Sequence, residues 1–209
     1  MSKRIAVFVS GGGTNLQALI DAQNAGTIHS GRIELVISSS PKAYALERAR
    51  GAGIPAAVCS KKELGSQKDF ERAIQDKLEK YSIDIIVLAG FMSILSEDFT
   101  RRWAGRVLNV HPSLIPSFCG KGMYGLKVHE AALARGVKVT GATVHLVNEI
   151  PDGGSILLQK AVEVLPGDTP EVLQRRVMEQ AEWILLPRAV EMVCAGLQTS
   201  PLSTLHSSL

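Results

Sequence analysis

Short apolar runs alternate with segments of helical periodicity along most of this chain, and that alternation constrains its fold more than any other feature. Residues 5–9 (Ile-Ala-Val-Phe-Val) are rich in β-branched side chains and lack the polar alternation of a half-exposed strand, so they read as a strand buried on both faces. Residues 33–37, 56–59 and 83–89 repeat the pattern, with Asp84 a charged exception in the last of them. Residues 106–111 make a further strand, stopped by Pro112. Helices are expected from Leu16 onward, over 42–51, over 66–81 and over 127–135. Phe70, Ile74, Leu78 and Tyr81 give the third an apolar face, and Gly136 closes the fourth. Two longer strands, 139–147 and 155–164, are joined through Asp152-Gly153-Gly154. Thr169-Pro170-Glu171 is a helix start, with a capping hydroxyl, proline in the first turn and an acid near the positive end. The helix is expected to run to about Cys194 with a kink at Pro187. Strands buried on both faces need helices on both faces, so the expected fold is α/β: a doubly wound, mainly parallel sheet of the Rossmann-like kind. Ligands in such sheets sit beyond the carboxyl ends of the strands.

The chain has 209 residues, 45% of them hydrophobic and 21% charged, enough to bury one sizeable core without staples. One domain is expected over residues 1–198, with a disordered Ser/Thr-rich tail over 199–209. A net charge of +3 tolerates an anionic substrate, but no dense Lys/Arg block marks a nucleic-acid surface. Three widely spaced cysteines argue against a disulfide framework or a zinc knuckle, and no metal site is expected. The first apolar run is too short for a signal-peptide core and nothing is long enough to span a bilayer, so a cytoplasmic protein without a membrane partner is expected.

Three places carry candidate chemistry. Gly11-Gly12-Gly13-Thr14-Asn15 links the first strand to the first helix. Glycines let backbone approach a ligand, and free N–H groups at a helix start bind phosphate, although a glycine-rich turn can also be a mere connection. Neither a full dinucleotide fingerprint nor a P-loop is present, since Leu16 stands at the third glycine position. Asn109 and His111 are two apart near a strand end, so both point to one face. Asn can donate to a developing oxyanion, and His can do so and supply a proton, but the pair could equally satisfy its own loop. Asp152-Gly153-Gly154 by itself reads as a turn. It gains weight only if Asp152 folds beside His111, where a carboxylate favours a charged imidazole.

In this order, the segments Ser10–Gln17 (SGGGTNLQ), 88–96 (LAGFMSILS), 108–117 (LNVHPSLIPS) and 141–154 (GATVHLVNEIPDGG) resemble the phosphoribosylglycinamide formyltransferases, the folate-dependent enzymes of purine synthesis. The resemblance implies formyl transfer from 10-formyltetrahydrofolate to glycinamide ribonucleotide, with no metal, by a monomer or homodimer. It implies that Gly13, Thr14 and Asn15 hold the substrate phosphate and that Glu182 binds the ribose hydroxyls. Met92, Ser93, Ile94, Leu95 and Asn109 would contact the folate. Asn109 and His111 would stabilise a tetrahedral intermediate, with His111 donating a proton and Asp152 assisting it.

Departures from the family pattern bear on the periphery. Ser93 and Gln67 stand where basic residues often meet the folate's glutamate, although Lys68 is adjacent. Pro151 replaces an aliphatic residue, and the stretch before Glu182 is one residue longer than in some members. The loop 119–126 has no assignable role. His129 is expected to be structural or to support the site from behind, His145 to be a satisfied core histidine, and Cys119 to be unactivated. A formyltetrahydrofolate deformylase, which hydrolyses the same donor, is the nearest alternative, but the first strand begins too early for the usual preceding regulatory domain. Methionyl-tRNA formyltransferase would add a basic C-terminal domain. A non-catalytic nucleotide-binding module is the alternative of another class. Ser38-Ser39-Ser40-Pro41, with no acid for ribose hydroxyls, and the presence of all three catalytic candidates weigh against it.

Overall fold

A computed structural model describes residues 2–196, so the expected tail over 199–209 lies outside the described residues. Seven strands form one sheet: β1 (Lys3–Val9), β2 (Gly31–Ser38), β3 (Ala56–Val58), β4 (Ile85–Leu88), β5 (Val107–His111), β6 (Val139–Leu146) and β7 (Ile156–Glu163). Their spatial order is β3-β2-β1-β4-β5-β6-β7. β1 to β5 run parallel, while β6 is antiparallel to both β5 and β7. The helices are α1 (Thr14–Asn24), α2 (Ala45–Gly51), α3 (Lys61–Leu64), α4 (Gln67–Lys80), α5 (Glu97–Arg102), α6 (Leu126–Arg135), α7 (Pro170–Val177) and α8 (Trp183–Cys194). The short helices α3 and α5 were not expected from periodicity, being too brief to show a stripe.

The unbroken apolar character of the central strands now has its cause. Ile5, Val7 and Val9 of β1 join a core with Leu16, Leu19, Leu186 and Val190 from α1 and α8. Ala6 and Phe8 point the other way, into a core with Phe70, Ile74, Leu78 and Phe99 from α4 and α5. Alternate residues therefore serve opposite layers, and each large side chain buried this way contributes roughly 1.5–3 kcal/mol. The Ser66 hydroxyl caps α4 by accepting from Asp69 N (3.0 Å), and the Thr169 hydroxyl accepts from Val172 N as the helix-start pattern implied.

Two of the differences from the expected boundaries have a visible cause. β4 starts at Ile85 because the Asp84 carboxylate is taken by Arg4 N (2.8 Å) beside the ladder. The last helix is interrupted before Pro187, by a π-helical turn over Met178–Glu182. A proline ring clashes with the carbonyl four residues back, here Trp183, so the distortion collects in the preceding turn while Pro187 stays on the buried face of α8. Among the described residues no helix is long and apolar enough to cross a membrane.

Candidate active site

The parallel strands β1, β4 and β5 are neighbours, so their carboxyl ends line up and the three segments that follow them meet on one rim. The glycine loop follows β1, the 92–95 loop follows β4, and β5 ends in Asn109 and His111, with Asn109 registered against Leu88. At normal strand spacing the β1 and β5 ends are about 10 Å apart.

At the β1 end, Gly13 is the N-cap of α1 at φ +72°. A side chain there would be strained and its Cβ would come within 2.6 Å of the Ala45 Cβ, so glycine is needed on both counts. Asn15 Nδ2 donates to Glu182 Oε2 at 2.7 Å, which draws the π turn onto α1. Glu182 is buried, and burial pushes its carboxyl up to about 7 against the opposing pull of the Asn15 hydrogen bond. Among the described residues, Thr14 Oγ1 donates only to the Met178 sulfur, at 3.7 Å. Gly13, Thr14, Asn15 and Glu182 are therefore brought together, Glu182 across 167 residues of sequence.

At the β5 end, His111 Nδ1 lies 3.6 Å from Asp152 Oδ2, and both side chains are largely buried. Asp152 is brought there by a β-turn in which Gly153 N donates to Ile150 O (2.9 Å). Pro151 occupies the second position of that turn, where its fixed φ is favoured, and Asp152 the third, at φ +56°. Pro151 thus suits the turn that aims Asp152, and the left-handed backbone costs on the order of 1 kcal/mol. Burial alone would raise the Asp152 carboxyl. The neighbouring His145, the Gly120 N–H and His111 outweigh it and hold the group below its ordinary value.

Sequence reasoning missed two parts of this cluster. His145 is buried, as expected of a core residue, but it faces Asn109 directly across the β5–β6 ladder. Its Nδ1 lies 2.9 Å from Leu146 O, so Nδ1 carries the proton and donates. In the neutral ring Nε2 then accepts from Asn109 Nδ2 at 3.1 Å. Asp152 Oδ1 also lies 3.5 Å from that Nε2, and only the charged ring, whose Nε2 donates, lowers the carboxyl. Asn109 is thereby oriented, its second N–H without a partner among the described residues. Only strand register, which a single sequence does not show, could have revealed this pairing. The second missed part is the start of the unassigned loop. His111 Nε2 donates to Phe118 O (2.8 Å), and Gly120 N donates to Asp152 Oδ2 (2.7 Å), so the loop covers both catalytic candidates.

His129 is fully buried and both its ring nitrogens lack a partner among the described residues. Burial, then His111, pushes it down to about 4, so it is neutral at ordinary pH. Cys119 donates to Pro116 O at 3.3 Å; burial first, then Asp152, raises its thiol, in keeping with an unactivated cysteine.

The 92–95 loop is anchored from below by Phe91, which packs edge-on against Phe8 and stacks on Phe70. Met92 N donates to Ser10 Oγ (2.8 Å), and Ser96 donates twice to Glu71, which leaves Met92 and Ile94 with apolar side chains exposed on the rim. Gln67 donates to Ile94 O (3.1 Å) and to Glu71, so it is committed to holding this loop. Ser93 and Leu95 are partly exposed there. Among the described residues no group of three or more His, Cys, Asp or Glu side chains is placed to hold a metal.

A family model described as formyl transferase matches residues 3–190. The chain belongs to the formyl transferase family. It is 43% identical over 194 residues to a phosphoribosylglycinamide formyltransferase of Haemophilus influenzae, covering 93% of this chain and 88% of that protein. It is 47% identical over 193 residues to the human trifunctional purine biosynthetic protein adenosine-3, covering 92% of this chain and only 18% of that much longer protein. Among solved structures, glycinamide ribonucleotide transformylase 1 of Symbiobacterium toebii superposes with a TM-score of 0.87 at 42% identity, covering 93% of this chain and 89% of that one. Family membership agrees with the mainly parallel Rossmann-like sheet.

Proposed function

We propose that this chain transfers the formyl group of 10-formyltetrahydrofolate to the amine of glycinamide ribonucleotide, a step of purine synthesis. The observation that carries the reading is the convergence of Asn109, His111 and Asp152 at the end of β5, one strand away from an apolar loop and two from a glycine loop. The amine is itself the nucleophile, so no serine or cysteine nucleophile is required. The barrier lies in forming and collapsing a tetrahedral carbon, and preorganised donors for its oxygen are the device such a reaction needs.

Asn109, its amide oriented by His145, donates its free N–H to that oxygen. His111, once Phe118 O releases it, donates from Nε2 and then passes the proton to the departing folate nitrogen. Its Nδ1 contact with Asp152 is favourable only when the ring is charged, because Nε2 already carries a proton. Asp152, ionised at neutral pH, stabilises that charge and takes the amine's proton through water. Backbone N–H groups of Gly13, Thr14 and Asn15 hold the phosphate at the positive end of α1, and Glu182 accepts from ribose hydroxyls. Met92, Ser93, Ile94 and Leu95 line the folate pocket, with Asn109 at its inner edge. The reading calls for small-molecule partners in the cytoplasm, with one copy of the chain sufficing, alone or in a homodimer.

The test is absorbance-monitored deformylation of 10-formyltetrahydrofolate by purified protein, with and without glycinamide ribonucleotide, repeated on H111A and D152N. Turnover that needs the ribonucleotide and collapses in both variants is expected. Turnover without it would replace the transferase by a hydrolase, and a folded protein with no turnover would overturn the enzymatic reading.

A further inference from the structure

The glycine loop and the first two turns of α1, residues 11–21, contain no lysine or arginine, so a dianionic phosphate there would meet only backbone dipoles from its own segment. A cation arrives from α2. Arg48 Nε donates to Gly12 O at 2.8 Å, and Nη1 donates to Gln17 Oε1 at 3.1 Å. The guanidinium carbon lies over the Tyr44 ring, 5.2 Å from its centroid, a cation–π contact. Ala45 N donates to Gly11 O (3.1 Å), so the start of α2 is tied to the same loop at a second point.

Two of the five guanidinium N–H groups are used by these bonds, and Arg48 forms no ion pair among the described residues. That sets it apart from the two arginines of α7 that precede the π turn. Arg175 is paired with Glu179, and Arg176 is held by Asp168. Arg48 and Thr14 line one cavity of about 450 Å³, together with Gln17, Asp21 and Trp183. Asp21, the one acid on that wall, is two turns along α1 from Thr14, about 10 Å away, and is engaged by Gln17 Nε2 at 2.8 Å.

We propose that Arg48 is a further substrate-binding residue, a guanidinium docked on the glycine loop that supplies the positive charge for the substrate phosphate. The proposal rests on the transferase reading for the identity of the substrate. The fork geometry matters as well as the charge, because Nε anchors the group to the loop and Nη1 to Gln17 of α1, which leaves Nη2 for phosphate oxygens.

The experiment compares kcat/KM for glycinamide ribonucleotide with that for the corresponding ribonucleoside, which lacks the phosphate, in wild type, R48Q and R48K. For R48Q the ribonucleotide value is expected to fall about ten- to hundredfold, the range for one charge-assisted hydrogen bond. The ribonucleoside value and the KM for the folate are expected to stay unchanged. R48K, which keeps the charge without the fork, is expected to lose less than R48Q. Equal losses on both substrates in R48Q would mean that Arg48 only shapes the loop, and would overturn the proposal, as would no loss on either. Equal losses in R48K and R48Q would overturn the charge argument. Should wild type turn over neither substrate, the transferase reading fails by itself, and calorimetric binding of ribose 5-phosphate decides Arg48: weaker binding to R48Q than to wild type supports it, and equal binding overturns it.

Discussion

The two ends of the site are assembled in different ways. The end proposed to hold the phosphate is built on a local segment. A strand stops, three glycines turn, and a helix begins, so the N–H groups that would meet an anion lie within a few residues of one another. The reacting end is non-local. Asn109 and His111 come from β5, His145 from the antiparallel strand beside it, Asp152 from the β6–β7 turn, and the cover from Phe118 and Gly120. Binding at a local site survives small shifts between elements, because its donors move together. Chemistry at a non-local site requires every element to arrive in register, and so depends more on the whole fold.

The sharpest way to break this comparison is H111A. The rate of formyl transfer is expected to fall on the order of a thousandfold or more, the scale for losing a proton donor that is also an oxyanion donor. Calorimetric binding of glycinamide ribonucleotide should be unmoved. If binding fell in parallel, the two ends would not be independent.

Gly154→Ala tests the turn that aims Asp152. Its Cβ would run into Leu146 O, which is backbone and has no room to yield. A loss of about 3 kcal/mol in denaturant-measured stability is expected. Wild-type stability would show that the turn can shift and that its geometry matters less than claimed.

Glu182→Gln addresses a residue that, like Arg48, reaches the phosphate end from elsewhere in the chain. The Glu182 carboxyl is raised from 4.5 to about 7, so between those values the folded protein holds a proton that the unfolded chain has released. Its contribution is fully present below 4.5 and is lost as pH rises through 7. Wild type should therefore lose up to about 3 kcal/mol relative to E182Q between about pH 4 and pH 8. Parallel stability–pH curves would show that burial does not perturb this carboxyl.

The smallest effect belongs to His145→Leu, which removes the acceptor that orients Asn109. A fall in kcat of about tenfold with KM unchanged is expected, and His145→Gln should recover part of it. A wild-type kcat in H145L would return His145 to the core role that the sequence suggested.

Much of this was legible in one dimension because its causes are one-dimensional. Buried parallel strands show as unbroken apolar runs, α4 as a stripe through Phe70, Ile74 and Leu78, and the glycine loop as adjacent glycines before a helix. Asn109 and His111 share a face by strand alternation alone. Family likeness, in turn, singled out Asp152 and Glu182. What waited for the tertiary structure was everything set by pairing between distant segments. Strand register put His145 opposite Asn109, a type of contact that apolar neighbours in sequence disguise. The π turn swung Glu182 onto Asn15, which helical periodicity could not foresee because it assumes an uninterrupted repeat. The docking of α2 brought Arg48 to a loop 36 residues earlier in the chain. Local periodicity reports which way a side chain faces. Which group it meets there is decided by packing between elements, where a shift of one residue exchanges one partner for another.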